Sequence, residues 1–205
     1  RIPSESKKAV KAIARQYAAA IAHGIRTAQP VAVDHMSARR IDVNFTRKAW
    51  SRREVDRRIG EMGKRFTQLG VDDQPFVGGK PPLATNGMEL ARLEGLRTVR
   101  AKFRGATAPK FPVCLHGVRL GPVALLGCGL EAYSSLQAPI AAGSPHAHTW
   151  LVSLVGGIGY APDKAAHERA GYAGDFVPVM CGELPFQRIH DELPRAMIKL
   201  AHELA

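Results

Sequence analysis

Residues 125–128 read Leu-Leu-Gly-Cys, and residues 151–162 read Leu-Val-Ser-Leu-Val-Gly-Gly-Ile-Gly-Tyr-Ala-Pro. Each apolar run leads directly into a glycine-bearing turn, which is typical of a buried strand followed by a loop. In α/β proteins, the loops at the carboxyl ends of strands usually carry the reactive side chains. The two stretches therefore predict an α/β fold whose functional residues follow these two strands.

The length and composition of the chain set its domain organisation. Its 205 residues are 45% hydrophobic, which is enough for one core of ordinary size. We predict a single α/β unit over residues 1–205, with a turn-rich loop excursion at residues 70–87. No apolar run reaches the roughly 18 residues that a transmembrane helix needs. Because the sequence starts at Arg1 without a signal-peptide pattern, we expect it to begin inside a longer protein.

The net charge of +11 is concentrated in the first half of the chain. Residues 1–110 hold 23 Lys and Arg against 10 Asp and Glu, whereas residues 111–205 hold 6 against 8. Clustered basic side chains can bind an anionic membrane surface or nucleic acid, although solvated helix faces are the simpler interpretation. Few aromatic side chains lie among these charges to stack on bases, which disfavours nucleic acid as the partner.

Apolar residues at helical spacing predict four helices. The first begins at Ser4 and ends between residues 24 and 30, and its apolar stripe consists of Val10, Ile13, Tyr17, Ile21 and Ile25. The second starts after a capping box formed by Ser51 and Glu54. The third carries Met88, Leu93, Leu96 and Val99, and the fourth lies within residues 186–204.

The strand predictions rest on alternation and on short apolar runs. Alternating residues at 41–46 predict a half-exposed strand, and residues 111–118 and 123–126 predict a hairpin. Residues 149–155 predict a buried strand, and residues 131–142 between these strands predict a helix.

In this order, the segments resemble the later half of the catalytic domain of neutral ceramidases, a family of zinc-dependent amidases. The resemblance covers residues 7–204 and is carried by residues 40–54, the hairpin before Cys128, the turn at 157–162 and Gly171-Tyr172. It implies an α/β fold with a mixed β-sheet and packing helices, as the partial catalytic domain of a ceramidase-like hydrolase.

The resemblance also implies particular site residues. In the family, the first strand ends in Leu-Pro-Gly-Glu, whose glutamate binds the zinc, and the later turn ends in a zinc-binding tyrosine. Tyr160 matches that tyrosine and would act as a ligand or oxyanion partner, while Cys128 occupies the place of the glutamate. A thiolate is a good zinc ligand, but a small buried filler is the alternative interpretation of Cys128.

The histidines of the chain do not replace the remaining family ligands. The family's zinc-binding histidines and nucleophilic serine precede the point at which this sequence starts. His146 and His148 could share one face of a strand, as two metal ligands would, but their position in a loop before the strand favours a solvent-exposed pair. Cys114 with His116 predicts a pair on one strand face, satisfied within the core. The glycines near residues 127–129 and 156–159 form no complete nucleotide-binding motif and indicate tight turns instead.

The function expected from the resemblance is that of a fragment or degenerate member of a zinc-dependent amidase family. Such enzymes hydrolyse the N-acyl amide of ceramide-like lipids, so an N-acyl sphingoid lipid is the expected partner if the full-length protein is active. We expect this chain alone to be inactive. Two alternatives stay open: a noncatalytic basic module that binds anionic lipid or nucleic acid, and a structural scaffold.

Overall fold

A computed structural model describes residues 4–68, 84–169 and 171–205. It contains two compact units, one ending at Val33 and the other beginning at Asp34, where the sequence predicted one unit over residues 1–205. The first unit consists of helix α1 (Ser4–Thr27) and the residues up to Val33. The second unit contains every described strand and the other helices.

Helix α1 has the predicted extent, and its apolar stripe faces solvent. The five stripe side chains, from Val10 to Ile25, are 55–74% exposed. The helix ends at Thr27, whose hydroxyl donates a hydrogen bond to the His23 carbonyl at 3.0 Å. The stripe is therefore a surface feature of the first unit and no part of a hydrophobic core.

The second unit is built on a mixed sheet. Its strands are β1 (Met36–Val43), β2 (Val113–Leu120), β3 (Val123–Cys128), β4 (Glu131–Ala132), β5 (His148–Val152) and β6 (Tyr160–Ala161). Four of them form one sheet in the order β1-β2-β3-β5, while β4 and β6 pair separately. The pairs β1–β2 and β2–β3 are antiparallel and β3–β5 is parallel. The predicted hairpin and the predicted mixed α/β fold are thus confirmed.

Six further helices complete the described part of the unit. They are α2 (Arg52–Gln68), α3 (Ala84–Lys102), α4 (Gln137–Gly143), α5 (Lys164–Glu168), α6 (Val177–Met180) and α7 (Ile189–His202). The predicted cap of α2 is present, since the Glu54 amide donates to the Ser51 hydroxyl at 3.1 Å. Residues 70–83 of the predicted loop excursion lie outside the described residues, and its last four residues instead begin α3.

The main core lies between the sheet and α7. The predicted apolar face is fully buried and consists of Ile189, Leu193, Met197 and Leu200 in the helix, continued by Leu204 just after its end. Helices α2, α3 and α6 enclose a second cluster around Val55, Leu96, Val99 and Val179. Helices α3 and α6 approach so closely that a Cβ atom on Gly95 would overlap the Val179 carbonyl oxygen.

The predicted helix over residues 131–142 is wrong in its first half. Glu131 and Ala132 form β4, a 3₁₀ turn follows at Ser134–Leu136, and the α-helix starts only at Gln137. The reason is pairing with a distant strand, because the amides of Glu131 and Tyr133 donate to the carbonyls of Gly159 and Ala161. Residues 131–133 are held extended by the β6 segment, and this overrides local helix propensity.

Candidate functional site

The two stretches that define the fold meet at one end of the sheet. Strand β3 ends at Cys128 and continues through Gly129 into β4, while β5 leads through residues 153–159 into β6. Strands β4 and β6 run parallel with Glu131 opposite Tyr160. Their ladder includes the Glu131 amide donating to the Gly159 carbonyl at 2.8 Å. The loops after the two predicted strands therefore form one site.

Glycines allow the two loops to approach this closely. A Cβ atom on Gly129 would lie 3.0 Å from the Gly157 Cα, and one on Gly157 would lie 2.9 Å from the Gly129 carbonyl oxygen. Gly159 adopts φ +131°, a conformation that residues with side chains rarely adopt. These glycines thus serve tight backbone packing and turns, and they bring Tyr160 to Glu131.

Glu131 and Tyr160 lie opposite each other on the two paired strands. The Glu131 carboxylate raises the pKa of Tyr160, chiefly by favouring the protonated phenol as a hydrogen-bond acceptor, and partial burial and the carboxylate's charge contribute less. A negative neighbour disfavours the phenolate, so Tyr160 holds its proton more tightly. The Tyr172 ring meets the Tyr160 ring edge-on, with 5.7 Å between centroids. The arrangement presents a neutral phenol beside a carboxylate and a second tyrosine.

Cys128 has the surroundings of a core residue. Its side chain is fully buried in the main hydrophobic cluster, and its thiol donates to the Leu130 carbonyl at 3.4 Å. Burial raises the pKa of the Cys128 thiol, which favours the protonated form over the thiolate that binds metals. The structure therefore places Cys128 in the core, whereas Glu131 is the residue whose side chain meets Tyr160.

Sequence reasoning missed Glu131 because it placed this residue in a helix. A signal was available: a glutamate follows the glycine turn three residues after Cys128. Only the long-range pairing with Tyr160 makes this residue recognisable as part of the site.

The described side chains do not form a complete zinc site. Within residues 4–68, 84–169 and 171–205, no three His, Cys, Asp or Glu side chains are grouped so that they could hold a metal ion. Catalytic zinc takes about three protein ligands and a water. Glu131 and Tyr160 offer two side-chain ligands at most. The donor set of this part of the chain does not fit zinc, and we assign no metal-dependent step to it.

The histidines singled out from the sequence lie elsewhere. His146 is buried, and its Nε2 lies 2.9 Å from the Ala201 carbonyl oxygen. The prediction of an exposed pair is therefore wrong for His146. His148 is exposed at the start of β5. The predicted pair of Cys114 and His116 forms, with 3.2 Å from Sγ to Nε2, on a half-buried face of β2.

Fold and site define the chain as a mixed α/β protein with a carboxylate–phenol pair at the loop end of its sheet. Family models, curated proteins and solved structures were all compared with the chain, and none matches it. Among the described helices, none combines the length and the apolar character that crossing a membrane requires.

Proposed function

We propose that the chain is a fragment or degenerate member of an amidase of the neutral ceramidase type and contributes one wall of its site. The observation that carries the proposal is the pairing of Glu131 with Tyr160. A neutral phenol is a suitable hydrogen-bond donor to the oxygen of an amide carbonyl, on which negative charge develops during hydrolysis. Glu131 would keep that phenol protonated, and because the phenol has a single O–H, it would turn from Glu131 to the amide oxygen when a substrate binds.

The same proposal makes this chain inactive by itself. A phenol and a carboxylate can polarise and orient an amide, but amide hydrolysis also needs an activated nucleophile. In the family, that nucleophile and the metal-binding histidines belong to the preceding half of the domain. The wall contributed by Tyr160 and Glu131 would therefore act only together with such a partner segment.

The test uses a fluorescent N-acylsphingosine and two proteins. The first is the chain itself, for which no amide hydrolysis is expected, and turnover by it would contradict the proposal. The second is the product of the complete reading frame, compared with its Tyr160→Phe and Tyr17→Phe variants. Loss of a single transition-state donor should lower turnover by about 10²–10³-fold in Tyr160→Phe. Tyr17 is exposed on α1 and serves as the matched control.

Two outcomes would remove the hydrolase assignment. One is an inactive complete product, which would leave a scaffold that retains the fold without chemistry. The other is equal turnover of the Tyr160→Phe variant and the wild type, which would take Tyr160 out of the mechanism.

A second candidate function is supported by helix α1. Its exposed apolar stripe runs along a helix that also carries exposed basic side chains at Lys8, Lys11 and Arg15, which helical spacing places away from the stripe. An apolar face beside a basic face is typical of helices that lie on anionic membranes. We propose an anionic lipid surface as the partner of this helix.

Sedimentation with lipid vesicles tests the membrane proposal. We expect the chain to bind vesicles of mixed phosphatidylcholine and phosphatidylglycerol and to leave pure phosphatidylcholine unbound. Each removed basic residue should weaken binding by about 1 kcal/mol, so the Lys8→Gln/Lys11→Gln/Arg15→Gln variant should bind far more weakly. Unchanged binding of this variant, or full binding at high salt, would contradict the proposal.

A further inference from the structure

A cavity of about 520 Å³ opens in the second unit between α3 and the π-helical turn Tyr172–Phe176. One part of its wall is apolar and aromatic, formed by Met88, Tyr172 and Phe176. The Tyr172 and Phe176 rings stack with 6.1 Å between centroids and an interplanar angle of 18°. The cavity has the volume usual for small-molecule sites in proteins.

The charged side chains of the cavity are Glu89, Arg92 and Asp175. Both carboxylates already have cationic partners. Asp175 forms an ion pair with Lys48 at 2.5 Å, and Glu89 forms one with Arg65 at 3.3 Å. The negative charge of this wall is therefore largely compensated before any ligand enters.

Arg92 is in a different position. Among the residues that the structure describes, its guanidinium has no ion pair, and its buried Nε has no hydrogen-bond partner. The guanidinium lies over the Phe176 ring, 5.2 Å from its centroid. Burial, followed by the charge of nearby Arg58, lowers the pKa of Arg92, although an arginine stays protonated at neutral pH. A buried donor without an acceptor is costly, and in the described part of the chain the guanidinium has no carboxylate that neutralises it.

We infer that this cavity binds an amphiphilic monoanion, a carboxylate on an apolar chain, with the carboxylate on Arg92 and the chain against Met88 and Tyr172. Guanidinium and carboxylate match in plane and spacing, so their hydrogen bonds are short and strong. Partial exclusion of water strengthens the attraction further. Because Glu89 and Asp175 are paired with Arg65 and Lys48, Arg92 offers the ligand one positive charge, which favours a single negative charge on the ligand.

The inference stands independently of amide hydrolysis. Tyr172 connects the cavity to the site, because its ring contacts Tyr160 on one side and lines the cavity on the other. Binding of an anion can be measured without any turnover. An inactive protein that binds the anion would leave this inference intact, and an active protein that does not bind it would remove this inference alone.

Calorimetric titration of the whole chain with decanoate, below the concentration at which it forms micelles, tests the inference. Decanol is the neutral control for the chain, and acetate is the control for the head group. We expect saturable binding of decanoate only. Arg92→Gln should weaken it by about tenfold or more, the loss typical of a charge-assisted hydrogen bond. Arg100→Gln, which removes the same charge from α3 where Arg100 pairs with Asp56, should bind like the wild type.

Equal affinity for decanoate and decanol would overturn the inference, and so would decanoate binding that Arg92→Gln leaves unchanged. If Arg92→Gln does not fold, the inference is tested on the wild-type chain by following the NMR signal of the Arg92 Nε–H group. That signal should shift on addition of decanoate and remain in place with decanol. An unshifted signal with saturating decanoate would also overturn the inference.

Discussion

Helices α1 and α7 share the same sequence pattern and have opposite surroundings. The α1 stripe has five large apolar residues at helical spacing, and the α7 stripe has four, continued by Leu204 just after the helix; basic side chains lie between them in both. The stripe of α7 is fully buried against the sheet, whereas that of α1 is 55–74% exposed. The period of apolar residues thus predicts a helix and one of its faces, but it does not say what covers that face.

What separates the two helices is the surface available to them. The β2 and β3 strands present Leu115 and Leu126 to α7, both fully buried. The described part of the first compact unit is one helix and the residues that follow it, and it offers no equivalent surface. Whether an apolar helix face is buried depends on a second surface that can cover it. Most of the stability of a helix in a protein comes from packing of this kind.

The largest expected effect comes from truncating one residue of each stripe. Leu200→Ala in α7 should lower the free energy of unfolding by about 2–5 kcal/mol, because it leaves a cavity in the main core. Ile13→Ala in α1 should change it by less than about 0.5 kcal/mol, since its side chain is 61% exposed. Urea unfolding followed by tryptophan fluorescence measures the stability of the second unit, which holds Trp50 and Trp150. It registers Leu200→Ala directly, and it would register Ile13→Ala only if the α1 stripe stabilised that unit.

A control variant shows whether alanine substitution in α1 by itself changes the free energy of unfolding. Ile25→Ala lies in the same exposed stripe as Ile13, so it should also be close to neutral. A loss of stability from Ile13→Ala as large as that from Leu200→Ala would mean that the α1 stripe is buried in solution.

A smaller effect is expected from glycines within helices. Gly24→Ala in α1 meets no neighbouring atom and should increase helix content, since alanine favours a helix by up to about 1 kcal/mol over glycine. Gly95→Ala in α3 places a methyl group on the Val179 carbonyl and should lower the free energy of unfolding by about 1–3 kcal/mol. Circular dichroism measures the first and urea unfolding the second. A stabilising Gly95→Ala would show that α3 and α6 are not in close contact.

Features that depend on neighbouring residues were the ones that the sequence could predict. The hairpin at Gly121, the cap at Ser51 and the position of the apolar face on α7 each follow from a local pattern. Glu131 and His146 depend on partners far along the chain, Tyr160 and the Ala201 carbonyl. A helix was predicted over residues 131–142 because the local sequence favours one. Nothing near Glu131 in the sequence shows that β6 will pair with it and form a strand instead.

The smallest expected effect is on the pKa of Tyr160. It shows whether Glu131 or burial alone raises that pKa. Because its pKa is raised in the folded state, Tyr160 stabilises the fold fully below its unfolded pKa of about 10, and this stabilisation is lost as pH rises through the folded pKa. Glu131→Gln removes the carboxylate charge and should bring the Tyr160 pKa down towards its ordinary value. Ultraviolet difference titration against a Tyr160→Phe reference measures this pKa. An identical pKa in wild type and Glu131→Gln would mean that the carboxylate does not face the phenol, and the site would lose the pair on which its proposed chemistry depends.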